Sequence, residues 1–496
     1  EEPGELPLTC LPAALQMESR ALALVSVLFL SLLRAATATT AGTADGTQRW
    51  GYVEVRPSKS GDTVTNSSLF VSVLSLTLLG LDAPAVAEAH LFWWYYKSPQ
   101  AQRVSTPTKP WPTVLWLQGG PGASGVGVGN FLEVGPLNGD MKPRSSTWLH
   151  KADLIFVDNP VGVGYSYVED DSLLVTTDLQ AAADMTTLLK ALVKELTTLR
   201  SSPLFIVAES YGGKYAATLG VSVVRAVRAG ELKLTLGGVA LGDSWISPED
   251  FASSYGTLLF QVSRLDRNGA DHANKDAQVV RQQVAAGQFK QAQSTLNRML
   301  NWIVVNSGHV DVYNFLLDTG MDPVVAASSS PAPPEYSRYL ESKSVGDSIQ
   351  EAMNGAIKQK LKIIPKDLVW QAQSYSVYYA LINDFMKPRV QEVDELLSYG
   401  VNVTVYNGQL DVICSAVGAE AWVEKLKWDG LKNFLALPRQ PLYCGSAGAT
   451  KGFVRSYKNL HFYWILGAGH FVPVDQPCVA LDMIGNITQS PALSRS

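Results

Sequence analysis

Cysteine, histidine and positive charge are all scarce in this chain. Its 496 residues include 4 cysteines and 6 histidines, and 40 Lys and Arg face 45 Asp and Glu, for a net charge of −5. There is no Cys-x-x-Cys pair, no His-Glu-x-x-His helix and no Walker-type glycine loop. Zinc, thiol-redox and nucleotide chemistry therefore have no motif to rest on, and no metal or other cofactor is expected. The acidic balance, without a basic stripe, argues against nucleic acid as the main partner. No apolar run is long enough to cross a bilayer comfortably, so no membrane anchor is expected. What is present is globular: 46% hydrophobic and 17% charged residues, in a length that suits one large α/β enzyme domain carrying a long insertion.

The N-terminus reads as processing rather than fold. Met17, Arg20, the apolar run 21–33 and the small residues Ala35, Ala36, Thr37 and Ala38 make a secretory signal over 17–38, cleaved near Ala38. Residues 1–16 then read as a leader or gene-model extension, which removes Cys10 and leaves Cys414, Cys444 and Cys478. One disulfide and one spare thiol follow, and spacing does not say which two residues pair. A secreted chain also gives meaning to three sequons, at Asn66, Asn402 and Asn486, as glycan acceptors.

From Trp111 onward, short β-branched or aromatic runs alternate with helical patterns, which predicts an α/β class with a mostly parallel sheet and helices on both faces. Strands are expected at 113–117, 153–157, 204–207, 237–241, 402–406 and 459–465. Helices are expected at 177–198, 213–229 and 415–426. Strand signals vanish over 246–384, where helical patterns such as 275–300 and 349–361 predict a helical cap inserted between two parts of the core, 45–245 and 385–490. The Pro/Ser-rich run 328–334 reads as an exposed loop. An apolar segment, 63–87, separates two strand-like stretches, 52–55 and 90–96, that would naturally pair. It reads either as a tolerated excursion or as an insert that disrupts the first hairpin.

The chemistry starts at Phe205-Ile206-Val207-Ala208-Glu209-Ser210-Tyr211-Gly212-Gly213. A strand-length apolar run stops at a serine with small neighbours and gives way to a helical pattern. This is a nucleophile elbow, a turn that lifts the serine Oγ clear of the sheet. An attacking serine needs a base, a group that orients the base, and donors for the oxyanion. His470 lies in a glycine-rich turn after strand 459–465, and Asp411 follows strand 402–406, where such sheets carry catalytic groups. The chain order Ser, Asp, His is that of α/β-hydrolases. His470 Nε2 is expected to take the Ser210 proton while Asp411 holds Nδ1. The run Gln118-Gly119-Gly120-Pro121-Gly122 after strand 113–117 offers the Gly120 N–H as one oxyanion donor, with the Tyr211 N–H as the second.

Taken in order, these segments resemble a serine carboxypeptidase of the S10 type. The likeness rests on Trp116 to Gly122, Asp158-Asn159-Pro160, Glu209 to Lys214, Gly242-Asp243-Ser244-Trp245, Tyr406 to Asp411 and Gly469-His470. The resemblance implies an α/β-hydrolase fold, a secreted or lysosomal location, homodimerisation, and release of single residues from peptides with a free C-terminus. It also implies that Gln118, Gly119, Glu209 and Glu133 bind the terminal carboxylate. A glutamate beside a carboxylate donates a hydrogen bond only when protonated, so an acidic optimum is expected. Two departures stand out: Gln118 where the family usually has asparagine, and Ala123 where it usually has cysteine. Competing expectations are a secreted esterase or acyltransferase using the same triad, a mainly protective or binding protein, and a nonfunctional product of the 63–87 insert.

Overall fold

The computed structural model describes residues 38–57, 88–101, 106, 108–328, 346–445 and 448–491. The leader 1–16, the signal segment apart from Ala38, Asn66, the segment 63–87 and nearly all of the Pro/Ser-rich run lie outside the described residues.

The sheet is built from β1 (Ala38–Gly42), β2 (Gln48–Pro57), β3 (Glu88–Tyr96), β4 (Thr113–Leu117), β5 (Asp153–Val157), β6 (Tyr167–Val168), β7 (Pro203–Glu209) and β8 (Thr235–Gly242). After a long excursion come β11 (Val403–Gly408), β12 (Gln440–Tyr443), β13 (Thr450–Tyr457) and β14 (Leu460–Ile465). Their order across the sheet is β1-β2-β3-β5-β4-β7-β8-β11-β14-β13-β12, with β6 paired to β3. The six central strands from β5 to β14 run parallel. Their sequences explain why: Thr113–Leu117 and Asp153–Val157 are buried at every residue. Continuous apolar runs of this kind suit strands covered on both faces.

The flanking strands are antiparallel, and here the sequence reading was incomplete. It missed β12 and β13, which carry exposed and half-buried residues in weak alternation. The two stretches expected to pair do so, antiparallel: Tyr52 pairs with Phe92 and Val53 with Leu91, and the ladder runs on to Pro57 opposite Glu88. Helices α1 (Asp178–Glu195) and α2 (Gly212–Arg228) fall where expected. Thr177 starts α1 by accepting from the Gln180 N–H.

The described residues between β8 and β11 are mainly helical, and they differ from the sequence pattern in two ways. The single pattern over 275–300 is divided between α3 (Arg267–Ala285) and α4 (Phe289–Asn306). The break is at Gly287, whose φ of 71° an L side chain seldom adopts. The stretch also holds a small antiparallel pair, β9 (Val310–Asp311) with β10 (Asn314–Asp318). The remaining cysteine question is resolved as a Cys444–Cys478 disulfide, with Cys414 free and buried. No helix among the described residues is long and apolar enough to cross a membrane.

Candidate active site

Ser210, Asp411 and His470 lie in turns just beyond the C-terminal ends of the parallel strands β7, β11 and β14. Ser210 follows β7 with φ 59°, a left-handed conformation that costs a non-glycine residue energy and turns the strand sharply into α2. The turn is tied down on both sides. The Ser210 N–H donates to Gly242 O (3.1 Å), and Ser210 O accepts from Trp245 N (2.9 Å) and Gly213 N (3.0 Å).

The elbow is also tightly backed by the loop after β4. A Cβ on Gly119 would stand 2.5 Å from Ser210 Cβ and 2.9 Å from Tyr211 N. Only glycine lets these two backbones meet. The loop itself is anchored from the helical excursion, where Ser374 N donates to Gly122 O (2.8 Å) and Ser124 N donates to Ala372 O (2.9 Å). Among the described residues, neither the Gly120 nor the Tyr211 N–H donates to another group. The two donors named from sequence are therefore uncommitted beside the serine.

His470 and Asp411 are brought together from separate loops. Nδ1 of His470 lies 2.8 Å from Asp411 Oδ2, and both side chains are buried. Asp411 Oδ1 accepts from Cys414 N (3.2 Å). The turn between β9 and β10 binds both loops. Val312 O accepts from Val412 N (3.1 Å) and Ile413 N (2.9 Å), while Tyr313 O accepts from His470 N (2.8 Å). The Tyr313 ring meets the imidazole edge-on at 5.1 Å between centroids. Asp411, Cys414 and His470 offer donor atoms within 4.8 Å of one another, although the Asp411–His470 hydrogen bond already engages two of them.

The four residues expected to hold a carboxylate form two groups. Gly119 backs the elbow, and Gln118, Glu133 and Glu209 form a buried chain of hydrogen bonds. Gln118 Nε2 donates to Glu133 Oε1 and to Glu209 Oε1, each at 3.0 Å. Its Oε1 accepts from Trp116 Nε1 (2.7 Å), which fixes the amide orientation. The second oxygen of each glutamate is buried with no partner among the described residues. Burial, followed by the Glu133 charge, pushes the Glu209 carboxyl well above its ordinary value, and burial raises Glu133 as well. Glu133 arrives on a buried helical turn, Gly125–Val134, whose start Asp158 secures by accepting from Val126 N (3.0 Å) and Ser124 Oγ.

Sequence reasoning missed several supporting groups. Trp116 lay inside a quoted motif, and its indole N–H was the signal. Asp243 stands directly after a strand, the position that marked Asp411. A buried ionic cluster under Tyr211 had no signal, because its members are far apart in sequence. The Tyr211 hydroxyl donates to Asp178 Oδ1 (2.8 Å), and Asp178 Oδ2 meets Arg389 Nε (2.8 Å) and Lys214 Nζ (3.4 Å). Of the sequons, Asn486 is exposed, whereas Asn402 is half-buried and donates through Nδ2 to Gly237 O (3.3 Å).

Comparison with known proteins agrees with this geometry. Residues 81–490 match the family model described as serine carboxypeptidase. Serine carboxypeptidase-like 51 of Arabidopsis thaliana is 55% identical over 464 residues, covering 91% of this chain and 94% of that protein. The retinoid-inducible serine carboxypeptidase of Rattus norvegicus is 44% identical over 410 residues, covering 81% of this chain and 89% of that one. The fold matches Kex1(Δ)p, a prohormone-processing carboxypeptidase from Saccharomyces cerevisiae, with a TM-score of 0.66 at 20% identity over 89% of this chain and 91% of that chain. An α/β-hydrolase sheet with a serine elbow, and sequence identity over most of both chains, lead to one conclusion: this chain belongs to the serine carboxypeptidase family.

Proposed function

We propose that the chain releases single C-terminal residues from peptides through an acyl-enzyme formed on Ser210, and that it does so best in acid. His470 Nε2 takes the Ser210 proton as Oγ attacks the last peptide carbonyl, then returns it to the departing amine. Asp411 holds the imidazole through Nδ1 and stabilises its charged form. The Gly120 and Tyr211 N–H groups receive the oxyanion, the second of them from the N-cap of α2, where the helix dipole favours negative charge. The substrate's own carboxylate lies against Gln118, Gly119, Glu209 and Glu133.

The observation that carries the reading is the pair of buried glutamates bridged by Gln118, one of which, Glu209, directly precedes the nucleophile in sequence. Two such carboxyls share protons at acid pH, and a protonated one donates to the substrate carboxylate. As pH rises through their raised values, the glutamates become anions and repel the substrate. Binding is therefore expected to weaken from acid toward neutral pH.

The test is hydrolysis of a blocked dipeptide across pH 4 to 8, with a C-terminally amidated version alongside. Expected are loss of activity in Ser210→Ala, preference for the free carboxylate, and a KM that rises with pH. Glu209→Gln should flatten that rise. If the variant keeps the wild-type profile, the proton-sharing site is refuted.

A secreted or lysosomal setting fits an acidic optimum and the Cys444–Cys478 disulfide. Asn486 is the better glycan acceptor of the two described sequons, since Asn402 already spends its amide on Gly237. A cap over 246–384 and a homodimer complete the proposal, and light scattering on the purified chain tests the latter.

A further inference from the structure

The Asp243 carboxyl is fully buried and has no part in the chemistry above. Its strand, β8, lies between β7, which ends at the serine elbow, and β11, which leads to Asp411. Asp243 therefore stands between the two loops. It takes a left-handed conformation, φ 40°, and its N–H donates to Tyr406 O (2.8 Å). Oδ1 accepts from Gly408 N (2.7 Å) and more distantly from Asn407 Nδ2 (3.4 Å). Oδ2 is buried and receives no donor among the described residues.

The Asp243 carboxyl is in hydrogen-bond contact with that of Asp411. A contact between two carboxyls needs a proton between them, because two anions at that separation repel too strongly to stay ionised together. Donor supply says where the charge sits. Asp411 Oδ2 faces His470 Nδ1 and Oδ1 faces the Cys414 N–H, so Asp411 is the anion. The oxygen left to carry a proton is Asp243 Oδ2.

We propose that Asp243 is a positioning residue, held as a neutral carboxylic acid whose Oδ2–H donates to the Asp411 carboxylate and so fixes the acid that orients His470. This rests on the triad reading above. The surrounding groups agree. Asp411 and Cys414 after β11, Tyr406 on β11, Glu209 at the end of β7 and Asp475 beyond His470 are the titratable groups around it, and none brings a positive charge. Burial first, then the Asp411 charge, push the Asp243 carboxyl well above its ordinary value.

The experiment compares Asp243→Asn and Asp243→Ala with wild type, reading kcat at saturating blocked dipeptide from pH 4 to 9, with a melting curve for each variant. Asparagine reproduces the neutral acid: its carbonyl accepts from Gly408 and its amide donates to Asp411. The expected result is a kcat within about twofold of wild type in acid and an alkaline limb extended to higher pH, since the amide cannot ionise. Alanine removes the donor and should lower kcat by about 10- to 100-fold with KM little changed, the usual scale for a hydrogen bond to an ion. Asparagine as damaging as alanine, alanine without effect, or an unmoved alkaline limb would each overturn the proposal while leaving Ser210-dependent activity in place. Wild-type activity that survives Ser210→Ala would instead remove the triad, and this inference with it.

Discussion

Gly119→Ala is the sharpest single test of how the nucleophile is held. The added methyl would sit 2.5 Å from Ser210 Cβ, 2.9 Å from Tyr211 N and 3.0 Å from Glu209 O. Carbon atoms pack at about 3.5–4.0 Å, so the elbow and the β4 loop must separate by about 1 Å. The obstacles are backbone atoms and a Cβ, which cannot swing aside as a long side chain would. A displacement of about 1 Å at a reacting atom costs on the order of 100-fold in rate. The overpacking itself costs about 1–3 kcal/mol of stability. Gly355→Ala makes the same chemical change inside a helical segment where nothing lies within 4 Å of the new methyl. It should leave kcat unchanged and stabilise slightly, by about 0.5–1 kcal/mol. Steady-state kinetics and thermal melts on both variants decide the matter. If Gly119→Ala keeps kcat within twofold of wild type while remaining folded, the close approach does not position the serine.

Two further outcomes follow from single contacts. Trp116→Phe removes the indole donor to Gln118 Oε1 and leaves a buried acceptor unpaired, at a cost of about 1–3 kcal/mol; KM for a free C-terminus should rise about tenfold or more, and kcat at saturation should stay near wild type. Cys478→Ser opens the disulfide to Cys444, which lies 34 residues away in sequence. The chain-entropy argument gives a loss of about 3–4 kcal/mol, so the variant should melt well below wild type and a reductant should lower the wild-type melting point to match.

How much of this was legible depended on whether the signal was local. The six parallel strands were visible because each is mostly buried and carries a short run rich in apolar, β-branched or aromatic residues. The edge strands β12 and β13 were not, since their exposed residues carry no such run. Ser210, Asp411 and His470 could be read because each sits in a short turn directly after a strand, with glycines close by. Tyr313 could not, because its role comes from a backbone carbonyl bonded to His470 N, 157 positions along the chain from it by their numbers. The cluster of Asp178, Lys214 and Arg389 fails for the same reason: the charges are ordinary in sequence and become informative only when folding buries them against one another.

The electrostatics of the strand ends carry one more consequence. Two carboxyl pairs are buried there, Glu133 with Glu209 and Asp243 with Asp411, and each pair needs one proton to remain buried without repulsion. An arginine placed where Gln118 stands would bind a substrate carboxylate at any pH, because its guanidinium never gives up its charge. Acids that recognise a carboxylate only while protonated bind it in acid and release it as pH rises. On the proposed reading substrate recognition is tied to proton supply, since Lys214 and Arg389, the basic residues buried under Tyr211, are already held by Asp178.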